Sequence, residues 1–332
     1  MLKTCWLRFV VITVMVALSL LAVGQWLSAD KDSDLLELVQ AGCHQAVANA
    51  TSGKGNVTVR QSVMTSPDGQ VYETETAYKL AFDQNNWRLS TNTTTLRNDQ
   101  RPDIDPKLMR PVGNIVQMEI SVKNADVTLL EKEDNRSRAT KGSSTSKTAS
   151  RLLSTMVSDV QPGVGRLGKG LVDIGRLGTN EVPLFSKVTM RVIGREVVAG
   201  SECIVVEEEA LPSSSDRPTS TTLFWVDPQK GYAVPKVQVF VEGGPFSERT
   251  LVEEENAQLK EYKPGIWYPT KITADHYSTK DPAKHFKKST KVITYDPQFQ
   301  INVPVDAEDL SLVLPSGTSV YDENLDASYK VP

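Results

Sequence analysis

Three histidines, three cysteines and two glutamate triplets are the side chains with which this chain could do chemistry. His44, His276 and His285 are the candidate bases near neutral pH. Asp275 precedes His276 in a stretch that reads as a strand, where neighbours point to opposite faces, so the two cannot pair there. No Gly-x-Ser-x-Gly or His-Glu-x-x-His segment occurs. With no nucleophile–base arrangement, the sequence reads as a non-enzymatic protein without catalytic residues.

The run Gly163-Val164-Gly165-Arg166-Leu167-Gly168-Lys169-Gly170 satisfies Gly-x-Gly-x-x-Gly and nearly matches a phosphate loop. Gly170 stands where the magnesium-binding hydroxyl belongs, and Gln161-Pro162 precedes the run instead of an apolar strand. It reads as a flexible loop. Glu207-Glu208-Glu209 and Glu253-Glu254-Glu255 fall in predicted strands, so each triplet sends at least one carboxylate to either face. Those strand ends must be edge-like or border a wet concavity. No loop carries oxygen ligands at alternate positions, and three histidines with three cysteines leave little for a zinc site. No metal and no cofactor is expected.

The elements that hold these residues belong to a chain of 332 residues, 39% of them hydrophobic, which is enough for a packed core. Lys and Arg number 37 against 41 Asp and Glu, so nucleic acid is a poor partner. Lys3 and Arg8 precede an apolar run from Phe9 to Gly24, and the sequence turns polar at Ser28-Ala29-Asp30. Residues 1–29 therefore read as a signal peptide cleaved after Ala29, with a single N-terminal membrane anchor as the alternative. Either reading exports residues 30–332 to a periplasm-like compartment, and cleavage would take the net charge from −4 to −6. Gln40-Ala41-Gly42-Cys43 imitates a lipoprotein box, but it begins with Gln and follows the charged stretch Asp30 to Asp34. In an oxidising compartment Cys43 and Cys203 could form a disulfide, and buried free thiols are the alternative.

Leu35, Val39, Cys43, Ala46 and Ala50 form one stripe of an amphipathic helix over 32–50, which Ser52-Gly53 should end. Beyond Gly55 the pattern alternates. Tyr72, Tyr78, Leu80 and Phe82 share one parity, Asp68-Gly69 makes a hairpin turn, and a Thr-rich strand follows Trp87. About ten strands form two antiparallel meanders, separated by a polar insertion at 132–150 and a short helical segment from Leu152 to Val160. The insertion should be mobile. The expected fold class is α+β, one domain over 30–332 built on a curled antiparallel sheet.

Three segments point further. They are Phe224-Trp225-Val226-Asp227-Pro228…Gly231…Pro235-Lys236-Val237, Gly265-Ile266-Trp267-Tyr268-Pro269-Thr270-Lys271-Ile272, and Leu314-Pro315-Ser316-Gly317-Thr318-Ser319-Val320-Tyr321-Asp322. With the leader, the single helix and the meander, they resemble the LolA/LppX-like superfamily of outer-membrane lipoprotein-sorting proteins, in particular its divergent planctomycete-like members. The resemblance implies a half-open β-barrel whose concave apolar face holds acyl chains. It implies an extracytoplasmic carrier of lipid or lipidated protein, with membrane contact through the leader or during cargo exchange. The alternative is a cell-envelope sensor or adaptor that binds a protein partner with the same fold.

An acyl chain offers nothing to hydrogen-bond, so its site must be apolar area, at about 25 cal/mol per Å² buried. The candidate wall is Tyr78, Leu80, Phe82, Trp87 and Leu89 in the first meander. In the second it is Phe224, Val226, Phe240, Trp267 and Ile272. The alternative is that these side chains are ordinary core.

Overall fold

The computed structural model describes residues 33–46, 48–64, 69, 71–83, 86–99, 112–113, 115–123, 126–133, 136–143, 185–212, 218–244, 246–278 and 286–332. The leader, the segment Leu152 to Val160, the glycine run 163–170 and His285 lie outside them.

Helix α1 covers 33–46 and continues at 48–49. The first meander is β1 (Ser52–Met64), β2 (Val71–Asp83), β3 (Asn86–Asn98), β4 (Ile115–Lys123), β5 (Asp126–Glu133) and β6 (Arg136–Ser143). The second is β7 (Phe185–Val198), β8 (Ser201–Pro212), β9 (Thr219–Asp227), β10 (Ala233–Gly243), β11 (Phe246–Lys263), β12 (Ile266–Tyr277) and β13 (Lys287–Tyr295). Short pieces close the chain: β14 (Gln300–Ile301), helix α2 (Ala307–Leu310), β15 (Ser319–Asp322) and β16 (Ala327–Lys330). Among the described residues sixteen strands thus stand where the sequence suggested about ten, and β6 and the short closing strands are among the additions.

All of them join one sheet, in the order β16-β15-β6-β5-β4-β3-β2-β1-β13-β12-β11-β10-β9-β8-β7, with β14 beside β1. The two meanders meet where β1 pairs antiparallel with β13. Every pairing is antiparallel except β6 with β15. Among the described residues β7 and β16 are the two edges and do not pair with each other, so the sheet stays half-open.

Residues paired across strands share a face, and following the registers separates the two faces. The inner face carries Val57, Tyr78, Leu89 and Ile120 in the first meander. Along Val59, Ile293, Ile272 and Ala257 it continues into the second meander, and along Val237, Phe224 and Val206 it reaches β8. α1 lies on this face. Its Val39 and Cys43 are buried against Ile204, Val206, Phe224, Val226 and Val237, with Leu35 and Leu36 beside them. His44 points to solvent.

The helix ends by residue 50, and Gly53 is already inside β1. That glycine does not stop the helix. A Cβ there would lie 2.6 Å from the Phe82 ring and 2.8 Å from the Gln300 carbonyl, so Gly53 lets the ring rest on the backbone.

The polar insertion needs a larger correction. Residues 136–143 are not a loop but strand β6, pairing Glu131 with Arg138 and Leu130 with Ala139. A strand this polar needs few buried side chains of its own. Ala139 packs with Leu130 and Val320, while Leu312, Leu314 and Val331 from the closing segment supply the remaining apolar cover. That closing segment crosses the outer face. Lys54 Nζ meets Asp309 at 3.0 Å, Arg88 donates to the Glu308 carbonyl, and Ser121 donates to the Leu310 carbonyl.

Candidate functional site

The inner face divides into a lower apolar part and an upper polar band. The lower part gathers Val57, Val59, Tyr78, Leu80, Phe82, Trp87, Leu89, Ile120 and Val122 from the first meander. From the other side come Tyr268, Ile272, Ile293, Tyr295, Phe299 and Ile301. Rings are concentrated at one end. Tyr268 stacks on Phe299 at 5.9 Å between centroids, and Tyr295 stands edge-on to both, at 5.4 and 5.2 Å. Burial, then the neighbouring Tyr268, pushes the Tyr295 hydroxyl well above the ordinary tyrosine range, so it stays neutral.

Eight of the ten expected wall residues lie on this face. Tyr78, Leu80, Phe82, Trp87, Leu89 and Ile272 belong to the cluster just described, and Phe224 and Val226 to the one beneath α1. Phe240 and Trp267 stand apart. Val237 and Val239 are the inner residues of β10, and Phe240, of opposite parity, turns outward, where the Arg249 guanidinium lies 4.5 Å from its ring. Trp267 belongs to neither cluster and sits near the turn after β9, with Lys230 Nζ 5.8 Å from its ring centroid. Its odd number sets it opposite Ile266, Tyr268 and Ile272, which stay with the inner cluster.

That turn explains the most specific stretch of sequence. Asp227 is fully buried, and its Oδ1 accepts from the backbone N–H groups of Gln229 and Lys230. Its other oxygen meets Lys230 Nζ at 3.0 Å. Gly231 and Tyr232 both take φ of 61°, which brings the Tyr232 ring under α1. A Cβ on Gly42 would come within 2.3 Å of that ring, so the helix can seat only because residue 42 has none. The Asp-Pro…Gly signature is therefore a structural turn.

Of the two readings of the cysteines, the disulfide is not formed and both thiols are free and buried. Cys43 belongs to α1 on the inner face, whereas Cys203 packs with Val205 and Trp225 on the outer face, so β8 itself stands between them. Burial pushes the Cys43 thiol up to about 12 and, with Asp227 nearby, the Cys203 thiol to about 11. Both stay unreactive thiols at neutral pH.

The histidine and carboxylates sort by face as alternation requires. His276 Nδ1 lies 3.8 Å from Glu253 Oε2 on the inner face. Asp275 points outward to Lys287 at 2.7 Å and Thr290 at 2.6 Å. Burial alone would raise its carboxyl, but those two hydrogen bonds outweigh it and hold it below the usual range. Glu255 shares the inner face with Glu253, while Glu254 and Glu207 face outward, toward Lys236 and toward Arg191 and Arg249 respectively. Among the described residues no three His, Cys, Asp or Glu side chains converge as metal ligands.

The upper band contains what the sequence reading passed over. Gln61 pairs with Thr74 and Thr74 with Thr95, Thr76 pairs with Thr93, and Lys291 faces Gln61 from β13. Thr76 and Thr93 hydroxyls are 3.0 Å apart. The repeated Thr-x-Thr spacing was a readable signal, since period two sends those hydroxyls to one face.

No family model matches the sequence, and no curated protein matches it. Solved structures similar to it include the following three. An outer-membrane lipoprotein-sorting protein domain from Vibrio parahaemolyticus is 12% identical with a TM-score of 0.42. A DUF1329-family protein from Desulfovibrio piger is 14% identical with a TM-score of 0.41. A LolA-superfamily protein from Nitrosomonas europaea is 13% identical with a TM-score of 0.39. Each similarity covers 83% of this chain and 97% of the other.

Proposed function

We propose that this chain is an extracytoplasmic, non-enzymatic binding protein for lipid or lipidated protein, and that the lower inner face is where acyl chains lie. One observation carries the reading. A single apolar face runs from β5 across β1 to β12 on a sheet whose edges never meet, and the one N-terminal helix is seated on the β8–β10 part instead. A closed sandwich would have covered that face with a second sheet. In a half-open sheet, the apolar area can be exchanged between side chains and a hydrocarbon ligand at little net cost. The wall is then Tyr78, Leu80, Phe82, Trp87, Leu89 and Ile272, without Phe240 and Trp267.

Native mass spectrometry of protein purified from its own host tests this. Co-purified acyl species are expected. An empty protein held in a stable complex with another polypeptide would replace the carrier by the envelope adaptor. That reading draws support from β7, an edge strand among the described residues, on which Ile193 and Val197 are exposed. The proposal includes export of residues 30–332 as one domain, with cleavage after Ala29. N-terminal sequencing that finds residues 1–29 intact on membrane-embedded protein would limit it to cargo exchange within reach of a tether.

A further inference from the structure

We infer that the inner face binds its ligand in one direction and selects an uncharged, hydroxyl-bearing headgroup, of the kind a monoacylglycerol or a glycolipid presents. This rests on the acyl-binding reading and adds the other end of the ligand. The rows across β1, β2 and β3 run Gly53–Phe82–Trp87, Gly55–Leu80–Leu89 and Val57–Tyr78–Thr91. Above them on the same face come Val59–Thr76–Thr93 and then Gln61–Thr74–Thr95, so polar side chains enter on β3 and take over all three strands' outer rows except at Val59. The apolar rows are buried, whereas Gln61, Thr74, Thr76 and Thr93 are only half-buried and so open to a polar group. A ligand lying along the strands would leave hydrocarbon for hydroxyls at that step.

Hydrogen-bond capacity decides which headgroup. A threonine hydroxyl has one donor and two acceptor sites. The Thr76–Thr93 bond uses one donor and one acceptor, so the pair keeps one donor and three acceptors for a ligand. A polyol both donates and accepts, and can match that set. A phosphate diester only accepts, and would leave the acceptors unmet.

By strand spacing Lys291 lies about 10 Å from Thr74, and Glu253 and Glu255 on β11 about 19 Å away, at or beyond the range over which exposed charges act in physiological salt. Hydrogen-bond capacity therefore sets the headgroup preference.

The test uses two twelve-carbon amphiphiles below their micellar concentrations, monolauroylglycerol and dodecyl methyl phosphate, an anionic diester without a hydroxyl. Each is titrated into the purified protein and read by native mass spectrometry. The wild type is expected to bind monolauroylglycerol several-fold more tightly. The double variant Thr76→Val/Thr93→Val removes both hydroxyls of the pair together, so neither is left unpartnered and the fold is spared. It should lose about fivefold in monolauroylglycerol affinity per hydrogen bond forgone, and leave binding of the phosphate diester unchanged. Thr94→Val, on the outer face of the same strand, should change neither. Equal binding of the two lipids, tighter binding of the anionic one, or a preference that survives in the double variant would overturn the headgroup assignment. Acyl binding would still stand in each of those cases. If neither lipid binds, the acyl reading falls and the headgroup assignment with it.

Discussion

The two apolar clusters of the inner face are built from the same kinds of residue, yet they are finished differently. The cluster on β8–β10 is sealed by α1: Val39 and Cys43 fill it, and Gly42 lets the helix come down onto Tyr232. The cluster on β1–β5 and β12–β13 has no described helix of its own and passes without a break into a threonine band. The first is the ordinary solution for a sheet, one helix on one face. The second combines apolar area with a graded polar border, which a core does not need and an amphiphile does. Burial alone does not distinguish the two; what lies at the border does.

The strongest test of that contrast is Phe224→Ala. Phe224 is fully buried beneath α1, so truncation should cost about 3–5 kcal/mol, read by denaturant unfolding. Lipid bound per folded molecule should not change. A loss of binding at constant folded fraction would move the ligand site to the helix side and reverse the comparison.

Leu89→Ala examines the other cluster. Leu89 is paired with Leu80 and Ile120 in the middle of the apolar rows. Its truncation should cost about 2–5 kcal/mol, and here the binding of monolauroylglycerol should weaken as well. If Phe224→Ala and Leu89→Ala both destabilise and neither affects binding, the two clusters are alike and both are core.

How far the sequence reveals this arrangement depends on how local the information is. The parity of Tyr78, Leu80 and Phe82 is a property of one strand, and it is readable at once. So is the stripe of α1. Phe240 shows where reading stops: it has the same even number as Phe224, but the β9–β10 register pairs Phe224 with Val237 and turns Phe240 outward. Register is set by turns and by both partners, not by either strand alone. Trp267, by contrast, is legible, since its odd number sets it opposite Tyr268 and Ile272 on the same strand. β6 is invisible for another reason: its apolar cover comes from Leu312, Leu314 and Val320, far along the chain. The cysteines follow the same rule, because which face Cys203 takes is decided inside the sheet.

Acid should separate the clusters by what stands behind them. Glu119 lies on the outer face of β4, accepting from Lys132 at 2.8 Å and Arg88 at 2.9 Å. Burial would raise its carboxyl, but the two hydrogen bonds prevail and hold it below the ordinary range. Asp275 behind β12 is held low in the same way. A carboxyl depressed by folding adds stability above its unfolded pKa, and that stability is lost as the pH falls through the folded value. Thermal unfolding should therefore drop as the pH falls below about 4, and Glu119→Gln should make the drop shallower. An unchanged slope would show that the ion pairs behind the β1–β5 cluster contribute nothing to its acid sensitivity.

The smallest effect is expected from Lys54→Met. Lys54 joins Asp309 at 3.0 Å, and both side chains keep about a third of their surface in water, at 36% and 29% exposure. An exposed pair of this kind contributes about 0–1 kcal/mol, because solvent already screens the charges and both chains must be ordered to meet. Methionine keeps most of the apolar stem, so the change removes the charge and little else. Lys54 is on the outer face, in the row Lys54–Ala81–Arg88–Ser121, directly behind the row that carries Phe82 and Trp87. Its loss should leave both stability and lipid binding nearly as they were. A clear loss of binding with stability intact would mean that the closing segment across the outer face sets the curvature of the wall behind it. The β1–β5 cluster would then be a surface held in shape from outside, and its contrast with the helix-sealed cluster would rest on sheet curvature rather than on side chains alone.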